Sequence, residues 1–343
     1  MQHLATLLLA IGLLLLPADG QAQSIDSIRF FLDEPAIEMT LTTDIKALQS
    51  QKGNDMFQPG TISMRIPDTV QVNEQEVKVA ARGNFRRGYC RIPPIMIDFR
   101  DPASRMNRMG KLKLVMGCGQ REDDEQLLLK EFLIYKIYNL LEEKSFRVRL
   151  AKTTYVDTRS RVKTYTQYAF LIEDDADMAR RNGCRKKENH PPFSSESVDR
   201  ETMTKVALFE YMIGNTDWSV PNEHNIKLVF PKKPENALPF TVPYDFDYCG
   251  LVDASYAVPN EVIGTEKVTE RVYRGFPRSI EELQVALDQF REKKAAIYAL
   301  INGFTTISER HRKTMISYLD EFYKTINDKS DVQRIFIDNA RTN

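Results

Sequence analysis

The pattern of apolar residues changes once along this chain, and that change limits the available folds more than any other feature. Between Ser24 and Val115 short β-rich segments are separated by Gly, Pro, Asn or Asp, which are typical turn residues. From Glu122 to Glu143 apolar residues recur every three or four positions, which predicts one long amphipathic helix. The strands predicted before that helix are Ile28–Phe31, Glu38–Leu41, Thr61–Ile66, Glu76–Arg82, Ile95–Phe99 and Lys111–Val115.

After the long helix and two more strands, the rest of the sequence is mainly helical. Two further strands are predicted, Arg149–Asp157 and Tyr165–Glu173, before helices at Asp199–Gly214, Ser279–Ile301 and Ser308–Asn327. Ser279 and Glu282 have the spacing of a capping box. A β-rich half with one long helix, followed by a helix-rich half, predicts an α+β fold with two lobes, residues 23–173 and 174–343.

Composition makes the chain an ordinary globular protein with no marked charge. Its 343 residues are 42% hydrophobic, which is enough to bury a substantial core. The 48 basic and 48 acidic residues cancel, so nothing marks the whole molecule for binding nucleic acid or an anionic membrane. We therefore expect no nucleic-acid partner.

The N-terminus has the pattern of an export signal. Leu4–Leu16 is an apolar run of 13 residues, and small residues precede a cleavage site after Ala22. Thirteen residues are fewer than the ~20 that span a bilayer, so we expect a cleaved signal peptide, residues 1–22, and no transmembrane anchor. The signal holds one acidic residue and no Lys or Arg, so the mature chain has 48 basic and 47 acidic residues, a net charge of +1. The protein is expected to be periplasmic or secreted.

The four cysteines are too few for a disulfide scaffold and lack the CxxC spacing of zinc or redox sites. Three pairings are possible in an oxidising compartment, and Cys90 with Cys118 is preferred because both lie at the ends of predicted strands. Buried free thiols are the alternative reading. The remaining two are Cys184 and Cys249.

Three polar residues that could carry chemistry lie in the segment after the predicted helix Asp199–Gly214. Asp217 and Asn225 lie in a loop before the predicted strand Ile226–Phe230, and Asp245 follows a second strand, Phe240–Tyr244. Phosphoryl transfer needs a carboxylate near the attacking hydroxyl and oxygen ligands that hold Mg²⁺ on the phosphates. The set predicts such a site, although each residue taken singly is more typical of a loop cap or a turn.

These segments resemble the catalytic part of atypical protein-kinase-like proteins, notably the spore-coat-protein-H-like (CotH-type) family and, more distantly, the HipA-type kinases. The resemblance rests on GNTD, on HN before a hydrophobic strand, and on PYDFD, and weaker similarity covers most of the mature chain. It implies a two-lobed protein-kinase-like fold. It also implies that Asp217 is the catalytic base, that Asn225 and Asp245 bind Mg²⁺, and that Asp247 is a further carboxylate at the metal.

The phosphate-binding groups are predicted on the N-terminal side. Lys111 and Lys113 alternate with Leu112 and Leu114, so both lysines point to one face of their strand, and Lys113 is preferred for the phosphates of ATP or another nucleotide. Its acidic partner is expected on the long helix, with Glu131 preferred over Glu125; an exposed sheet face with unpaired lysines is the alternative. Because the chain lacks a GxGxxG loop, backbone amides or a side chain such as Arg82 must also hold phosphate.

His224 beside Asn225 invites a general-base role, but a loop His next to a metal ligand more often orients its neighbour. Two functions follow from these observations. The first is an exported kinase-like enzyme that transfers phosphate from a nucleotide to a protein or other hydroxyl acceptor with Mg²⁺. The second is a non-catalytic envelope protein that keeps the same fold as a scaffold.

Overall fold

The computed structural model describes residues 25–341, except for 33–34, 52, 54–55, 68–70, 84, 91, 103, 105, 120–121, 188 and 235. The predicted signal peptide lies outside the described residues. The strands are β1 (Ile37–Thr43), β2 (Gln58–Arg65), β3 (Gln71–Ala81), β4 (Ile95–Asp98), β5 (Lys111–Met116), β6 (Val148–Asp157), β7 (Tyr165–Ile172), β8 (Cys184–Arg185), β9 (Ile226–Pro231) and β10 (Phe240–Pro243). The α-helices are α1 (Ser27–Phe30), α2 (Ile45–Ser50), α3 (Phe85–Tyr89), α4 (Glu122–Leu141), α5 (Asp175–Arg181), α6 (Arg200–Ile213), α7 (Ile280–Gly303), α8 (Glu309–Asn327) and α9 (Lys329–Val332).

Within the described residues, seven strands close into a barrel in the order β1-β2-β3-β4-β5-β7-β6. Neighbouring strands are antiparallel except β1 and β6, which run parallel in a register from Ile37 opposite Ala151 to Thr43 opposite Asp157. The N–H of Ile45, at the start of α2, donates to the Asp157 carboxylate over 2.9 Å, across 112 positions of sequence. This contact fastens the end of β6 to the segment that follows β1.

The prediction of a two-lobed protein-kinase-like fold, with a β-rich N-lobe and a helix-rich C-lobe, is wrong. The β-rich half forms a closed barrel, and helices lie before, between and after its strands in the chain. Closure depends on the parallel pair β1 and β6, whose segments are separated by most of the N-terminal half. Apolar alternation identifies strands but carries no information on which distant strand each one pairs with.

The barrel has its own apolar core. Leu112 and Leu114 of β5 point into it, together with side chains such as Ile62 and Ile97 from the other strands. Lys111 and Lys113 of the same strand point outward, as the alternation predicts. A larger second core lies outside the barrel and joins α4, α6, α7 and α8 to the sheet of β8, β9 and β10.

Helix α4 is buried against both parts of the molecule. Leu128, Leu133 and Ile137 are at most 3% exposed and pack with the helical core, and the helix also contacts β5, β6, β7 and α7. Two charged residues in this helix, Lys130 and Glu131, are also buried. The predicted range Glu122–Glu143 therefore matches the helix closely, but the helix is less amphipathic than expected because little of its surface meets water.

Most other predicted elements lie within two or three residues of the observed ones. One exception is β3, which begins at Gln71, five residues before the predicted strand Glu76–Arg82. The other is Ile28–Phe31, predicted as a strand, where the structure has the short helix α1. The Asp26 side chain accepts a hydrogen bond from the N–H of Arg29 and caps that helix, which outweighs the β-propensity of the segment. The capping box of Ser279 and Glu282 is confirmed at the start of α7.

The preferred disulfide is present. Cys90, just after α3, is bonded to Cys118, between β5 and α4. Cys184 and Cys249 are buried free thiols, so both readings of the cysteines apply to this chain, each to a different pair. In the part of the chain that the structure describes, no helix has the length and apolar character to cross a membrane.

Gly214 ends α6 and turns the chain toward the predicted site. Its φ is +67°, the left-handed conformation that glycine adopts without penalty, and its N–H donates to the Tyr211 carbonyl. A Cβ at this position would lie 2.0 Å from the Tyr318 hydroxyl oxygen. Gly264 has a similar φ of +79°, but a Cβ there meets no described atom within 4 Å.

We therefore expect Gly214→Ala to lower the free energy of unfolding by about 3 kcal/mol or more, since it adds a steric clash to left-handed backbone strain. Gly264→Ala is the matched control and should lose only about 1 kcal/mol, from backbone strain alone. Urea unfolding of the two variants beside the wild type measures the difference. Equal losses would show that the packing of Tyr318 against Gly214 contributes nothing.

Candidate active site

The loop between α6 and β9 is built from local hydrogen bonds. After Gly214, the Asn215 side chain accepts a hydrogen bond from the N–H of Asp217 over 2.9 Å. Ser219 and His224 then pair through their backbones, with N–H···O distances of 2.9 and 3.0 Å. These bonds fold the enlarged loop back on itself, so Asp217 and Asn225 lie side by side although they are eight residues apart in the sequence.

Asp217 lies at the centre of a small polar cluster. Its Oδ1 is 2.8 Å from His224 Nε2. The Asn225 side-chain amide donates to the Asp217 carbonyl over 2.7 Å and to its Oδ2 over 3.1 Å. The carboxylate is held by both neighbours, yet its side chain is 43% exposed, so a substrate hydroxyl could reach it.

Asn225 and Asp245 stand at the open end of one β-hairpin. Strands β9 and β10 pair from Ile226 opposite Pro243, and the N–H of Tyr244 donates to the Asn225 carbonyl over 3.0 Å. Both residues have left-handed backbones, with φ of +52° for Asn225 and +64° for Asp245. Non-glycine residues in this conformation cost about 1–3 kcal/mol each and cluster at functional sites, where the surrounding structure enforces them.

The side-chain oxygens of this pair remain available. The N–H of Asp245 donates to the Tyr135 hydroxyl over 2.8 Å, which fixes the backbone. Among the described residues, the Asp245 carboxylate makes no hydrogen bond or ion pair of its own. Because Asn225 uses its NH₂ group on Asp217, its carbonyl oxygen is directed away from that residue.

Asp247 belongs to a separate, buried cluster. Arg86 lies between two carboxylates, with its guanidinium 3.5 Å from Asp247 and 3.8 Å from Glu131. The Tyr256 hydroxyl donates to Asp247 over 2.9 Å. Glu131 is 2% exposed, and its Oε1 has no hydrogen-bond partner in the part of the chain that the structure describes.

Burial determines the protonation of this cluster. It raises the pKa of Asp247 to about 6; the nearby Asp245 carboxylate adds to the increase, and Arg86 and Tyr256 oppose it. Burial also raises the pKa of Glu131 well above its usual value, assisted by Asp247 and opposed by Arg86. Both carboxyl groups therefore take up a proton more readily than they would in water, and a cation beside them opposes that uptake.

Lys113 does not form the predicted ion pair with Glu131. Its ammonium group is 3.4 Å from the Asp175 carboxylate at the start of α5, and it lies 4.8 Å from the centre of the Tyr244 ring. Glu131 instead faces Arg86, which lies on α3. Burial lowers the pKa of Lys113, and Asp175 opposes the decrease.

Of the other predicted phosphate-binding residues, Arg82 lies near Lys113 and Lys111 does not lie at the hairpin. The Arg82 charge influences the pKa of Lys113, Glu131 and Tyr244, so it lies near all three groups. Lys111 lies over the Phe57 ring at 4.8 Å, away from the hairpin. Glu125, the second choice for an acidic partner, accepts a hydrogen bond from the N–H of Tyr168 over 2.7 Å and has a structural role.

Sequence reasoning missed four residues of this region. They are Tyr135, Asp175, Arg86 and Tyr256, which contact Asp245, Lys113 and the Asp247 cluster. None belongs to the quoted motifs. An acidic residue at position 131 of a buried helix indicates that a cation lies near it. The sequence contains several arginines and does not tell which one is the partner.

The donor set fits Mg²⁺ better than a transition metal. Across the described ranges, no three His, Cys, Asp or Glu side chains converge closely enough to form a complete metal site. Asn225 and Asp245 offer an amide and a carboxylate oxygen at the end of one hairpin, and Mg²⁺ retains several waters and needs few protein ligands. Asp247 is held by Arg86 and Tyr256 and lies beside this pair as an additional charge.

Comparison with known proteins gives little further guidance. No family model matches this chain, and no curated protein is similar to it. Among solved structures, the chain is similar to the Helicobacter pylori proinflammatory kinase CtkA, with 10% identity over 71% of this chain and 94% of that one, at a TM-score of 0.42. We infer neither fold nor activity from a similarity of this size, and the resemblance to CotH-type proteins stays a prediction.

A buried acid lies beneath the loop that carries Asp217. Glu210, on α6, is 1% exposed, and neither of its carboxylate oxygens has a hydrogen-bond partner among the described residues. Burial raises its pKa to about 8, and the nearby Asn215 and Arg274 side chains oppose the increase. The folded protein therefore keeps this acid protonated at neutral pH, where the unfolded chain ionises it.

Since the folded-state pKa of Glu210 is above the unfolded value of ~4.3, its contribution to stability is complete below pH 4 and is lost as pH rises to about 8. Glu210→Gln removes the titration. We expect the free energy of unfolding of this variant, relative to that of the wild type, to increase between pH 5 and pH 8 by an amount on the order of 4 kcal/mol. Denaturant unfolding at several pH values measures this, with the exposed Glu201→Gln on the same helix as control; a flat difference would contradict it.

Proposed function

We propose that this chain is a Mg²⁺-dependent phosphotransferase that moves a phosphoryl group from a nucleotide to a hydroxyl on a protein or small molecule. One observation carries the proposal: a free carboxylate and an amide oxygen, Asp245 and Asn225, lie at the end of one hairpin beside the fixed, accessible Asp217. Transfer of phosphate requires little beyond such positioning and charge neutralisation.

Asn225 and Asp245 would hold the metal. A Mg²⁺ ion held there would neutralise the negative charge that develops on the phosphate during transfer. The left-handed backbones of both residues fix the direction of these side chains before any ligand arrives. Asp247 lies beside this pair and would not be a direct ligand of the metal. Its negative charge would strengthen the attraction for the cation.

Asp217 would accept the proton of the acceptor hydroxyl. Its Oδ2 and backbone carbonyl both receive the Asn225 amide, and its Oδ1 faces His224. His224 would therefore orient the carboxylate rather than act as the base. The half-exposed surface of this cluster leaves room for a large acceptor, including a protein side chain.

Lys113 and Arg82 would bind the phosphates. In the structure Lys113 is neutralised by Asp175, so phosphate binding requires the ammonium group to exchange one anionic partner for another. Burial of Lys113 favours that exchange, because a buried ammonium group gains more from a doubly charged phosphate than from a single carboxylate. Arg82 lies near this ammonium group and adds a second cation.

The proposed enzyme is exported, on the pattern of residues 1–22. Since ATP is a cytoplasmic metabolite, the identity of the nucleotide is left open in this proposal. A second candidate function, a non-catalytic binding protein, is favoured by one observation: Arg86 already occupies the space between Glu131 and Asp247. The following experiment separates the two.

Asp245→Asn should weaken Mg²⁺-dependent nucleotide binding by at least ~tenfold, because it removes a charged metal ligand. Asp217→Asn should keep that binding and lower the transfer rate by about 10²–10⁴-fold, because it removes only the proton acceptor. Calorimetry measures binding, and transfer from a nucleotide labelled in its terminal phosphate measures the rate. Asp123→Asn, an exposed carboxylate of α4, is the control.

If the wild-type protein binds no nucleotide with Mg²⁺, the enzymatic proposal fails and the binding-protein candidate stands. Binding that is lost in Asp245→Asn without any transfer in the wild type would likewise favour a binding protein. The proposed enzyme requires both effects, on the two different residues.

A further inference from the structure

Residues 270–279, which we call the arginine segment, have neither helix nor strand structure and are bonded to α6 at two places. The segment carries three arginines, Arg271, Arg274 and Arg278. Arg278 donates to the Thr204 hydroxyl, in the first half of α6, over 2.8 Å. Arg271 donates to the Met212 carbonyl, near the end of that helix, over 3.3 Å. The segment is therefore bonded near both ends of the helix that leads to Asp217.

The third arginine, Arg274, reaches the loop that carries Asp217. Its Nη1 donates to the Thr216 carbonyl over 2.6 Å and to the Trp218 carbonyl over 2.7 Å. The centre of its guanidinium lies 5.0 Å from the centre of the Trp218 ring, and Trp218 is only 2% exposed. One nitrogen thus bonds to the residues immediately before and after the candidate base.

The guanidinium is a strong donor at this place. Arginine stays protonated in proteins, and hydrogen bonds from a charged donor are shorter and stronger than those between neutral groups. Burial lowers the pKa of Arg274, whereas the nearby Glu210 and Asp217 carboxyl groups oppose the decrease. The charge of Arg274 therefore acts close to the Asp217 side chain as well as on the backbone around it.

Two peptide groups meet at the Asp217 Cα atom, and each is held by a different side chain. The carbonyl of the preceding group, that of Thr216, accepts from Arg274. The carbonyl of the following group, that of Asp217 itself, accepts from the Asn225 amide over 2.7 Å. Fixing both groups fixes the backbone dihedrals of Asp217 and hence the direction of its Cα–Cβ bond.

The two side chains that hold these peptide groups come from different parts of the chain. Asn225 is at the end of the same loop, together with His224, which contacts the Asp217 carboxylate. Arg274 lies 56 to 58 positions beyond the carbonyls that it binds. Bonds within a loop keep its shape, whereas a bond from another segment also sets its position relative to the rest of the fold.

We propose that Arg274 is the positioning residue for Asp217: by holding the Thr216 and Trp218 carbonyls, it keeps the carboxylate at its place beside the pair Asn225 and Asp245. The effect on phosphoryl transfer rests on the proposed function, whereas the hold on Asp217 does not. In this role Arg274 contacts neither the substrate nor the metal.

Loss of this hold would affect the rate more than the binding of nucleotide. A general base must lie within hydrogen-bond reach of the proton that it accepts, and a misplacement of about 1 Å can lower a rate about 10²-fold. The proposed metal ligands have other supports. Asn225 and Asp245 flank the paired strands β9 and β10, and the N–H of Asp245 also donates to Tyr135.

Arg271 provides a matched control in the same segment. Like Arg274, it donates to two backbone carbonyls, those of Met212 and Tyr318, and it lies over an aromatic ring, that of Tyr318, at 3.6 Å. It also pairs with the Glu321 carboxylate over 3.0 Å. These partners belong to α6 and α8, so Arg271→Ala removes contacts of the same kind without removing one from the loop.

Nuclear magnetic resonance of the protein without nucleotide tests the hold on Asp217. The side-chain amide of Asn225 and the ring nitrogens of His224 both contact Asp217, so their resonances report its position. We expect Arg274→Ala to shift both sets of signals and Arg271→Ala to leave both at their wild-type positions, at one fixed pH. Unchanged signals in Arg274→Ala would overturn the inference.

Arg274→Lys is the second variant for this comparison, since it keeps a positive charge and most of the side chain and is the variant to use if Arg274→Ala does not fold. Its ammonium group is on a shorter reach than Nη1. We expect the same signals to shift in the same direction as in Arg274→Ala, by a smaller amount. Signals identical to those of the wild type would show that the two carbonyl contacts do not position Asp217.

Kinetics test the consequence. Arg274→Ala should lower kcat by about 10- to 100-fold and leave Mg²⁺-dependent nucleotide binding unchanged, because the lost positioning matters only in the transition state. Arg271→Ala should keep the wild-type kcat. Urea unfolding shows how much stability each variant loses, calorimetry measures binding, and a nucleotide labelled in its terminal phosphate measures transfer. An equal loss of kcat in both variants, or a loss of binding together with kcat, would reduce Arg274 to a structural role and overturn the inference.

Failure of this inference is distinguishable from failure of the proposed function. Transfer by the wild type with an unchanged kcat in Arg274→Ala would contradict the positioning role and leave the enzyme standing. Absence of transfer in the wild type would contradict the enzyme, while shifted Asn225 and His224 signals in Arg274→Ala would still support the hold on Asp217.

Discussion

The burial of α4 on nearly all sides is the constraint on which the rest of the structure depends. A helix in this position cannot leave its polar side chains in water, so each must find a partner in another part of the chain. Lys130 donates to the Val252 carbonyl, and Tyr135 accepts from the N–H of Asp245. Gln126 accepts from the N–H of Ser308, the residue that caps α8. The helix thereby sets the positions of the barrel, of the β9–β10 hairpin end and of the C-terminal helices.

The same constraint produces the electrostatics of the site. Glu131 is buried with α4, and Asp247 is buried at the turn after β10, so two carboxylates share a space with few polar groups. Arg86 neutralises part of their charge at distances too long for hydrogen bonds. These two carboxyl groups lie next to Asp245, whose carboxylate is free among the described residues. The burial that raises both of their pKa values is a consequence of the position of α4.

The predicted and observed structures agree where local patterns decide the outcome. The strands β5, β6 and β7 and the helices α4, α6, α7 and α8 lie close to their predicted ranges, since each depends on the apolar period and capping residues of its own segment. The preferred pairing of Cys90 with Cys118 is confirmed, although the sequence left two other pairings and buried free thiols open. The prediction of a two-lobed kinase-like fold is wrong, since the parallel pairing of β1 with β6 closes the barrel through contacts that no local pattern specifies.

The sequence by itself determined which residues of the hairpin and its preceding loop could carry chemistry. Asp217, Asn225 and Asp245 are separated from one another by short loops and strands, and hydrogen bonds within one hairpin are enough to bring them together. Tertiary structure alone decided the partners of Lys113 and Glu131. Each is buried far from its partner in sequence, and the low dielectric of the interior requires a countercharge without specifying which segment supplies it. In the folded chain, Asp175 is the partner of Lys113 and Arg86 is the partner of Glu131.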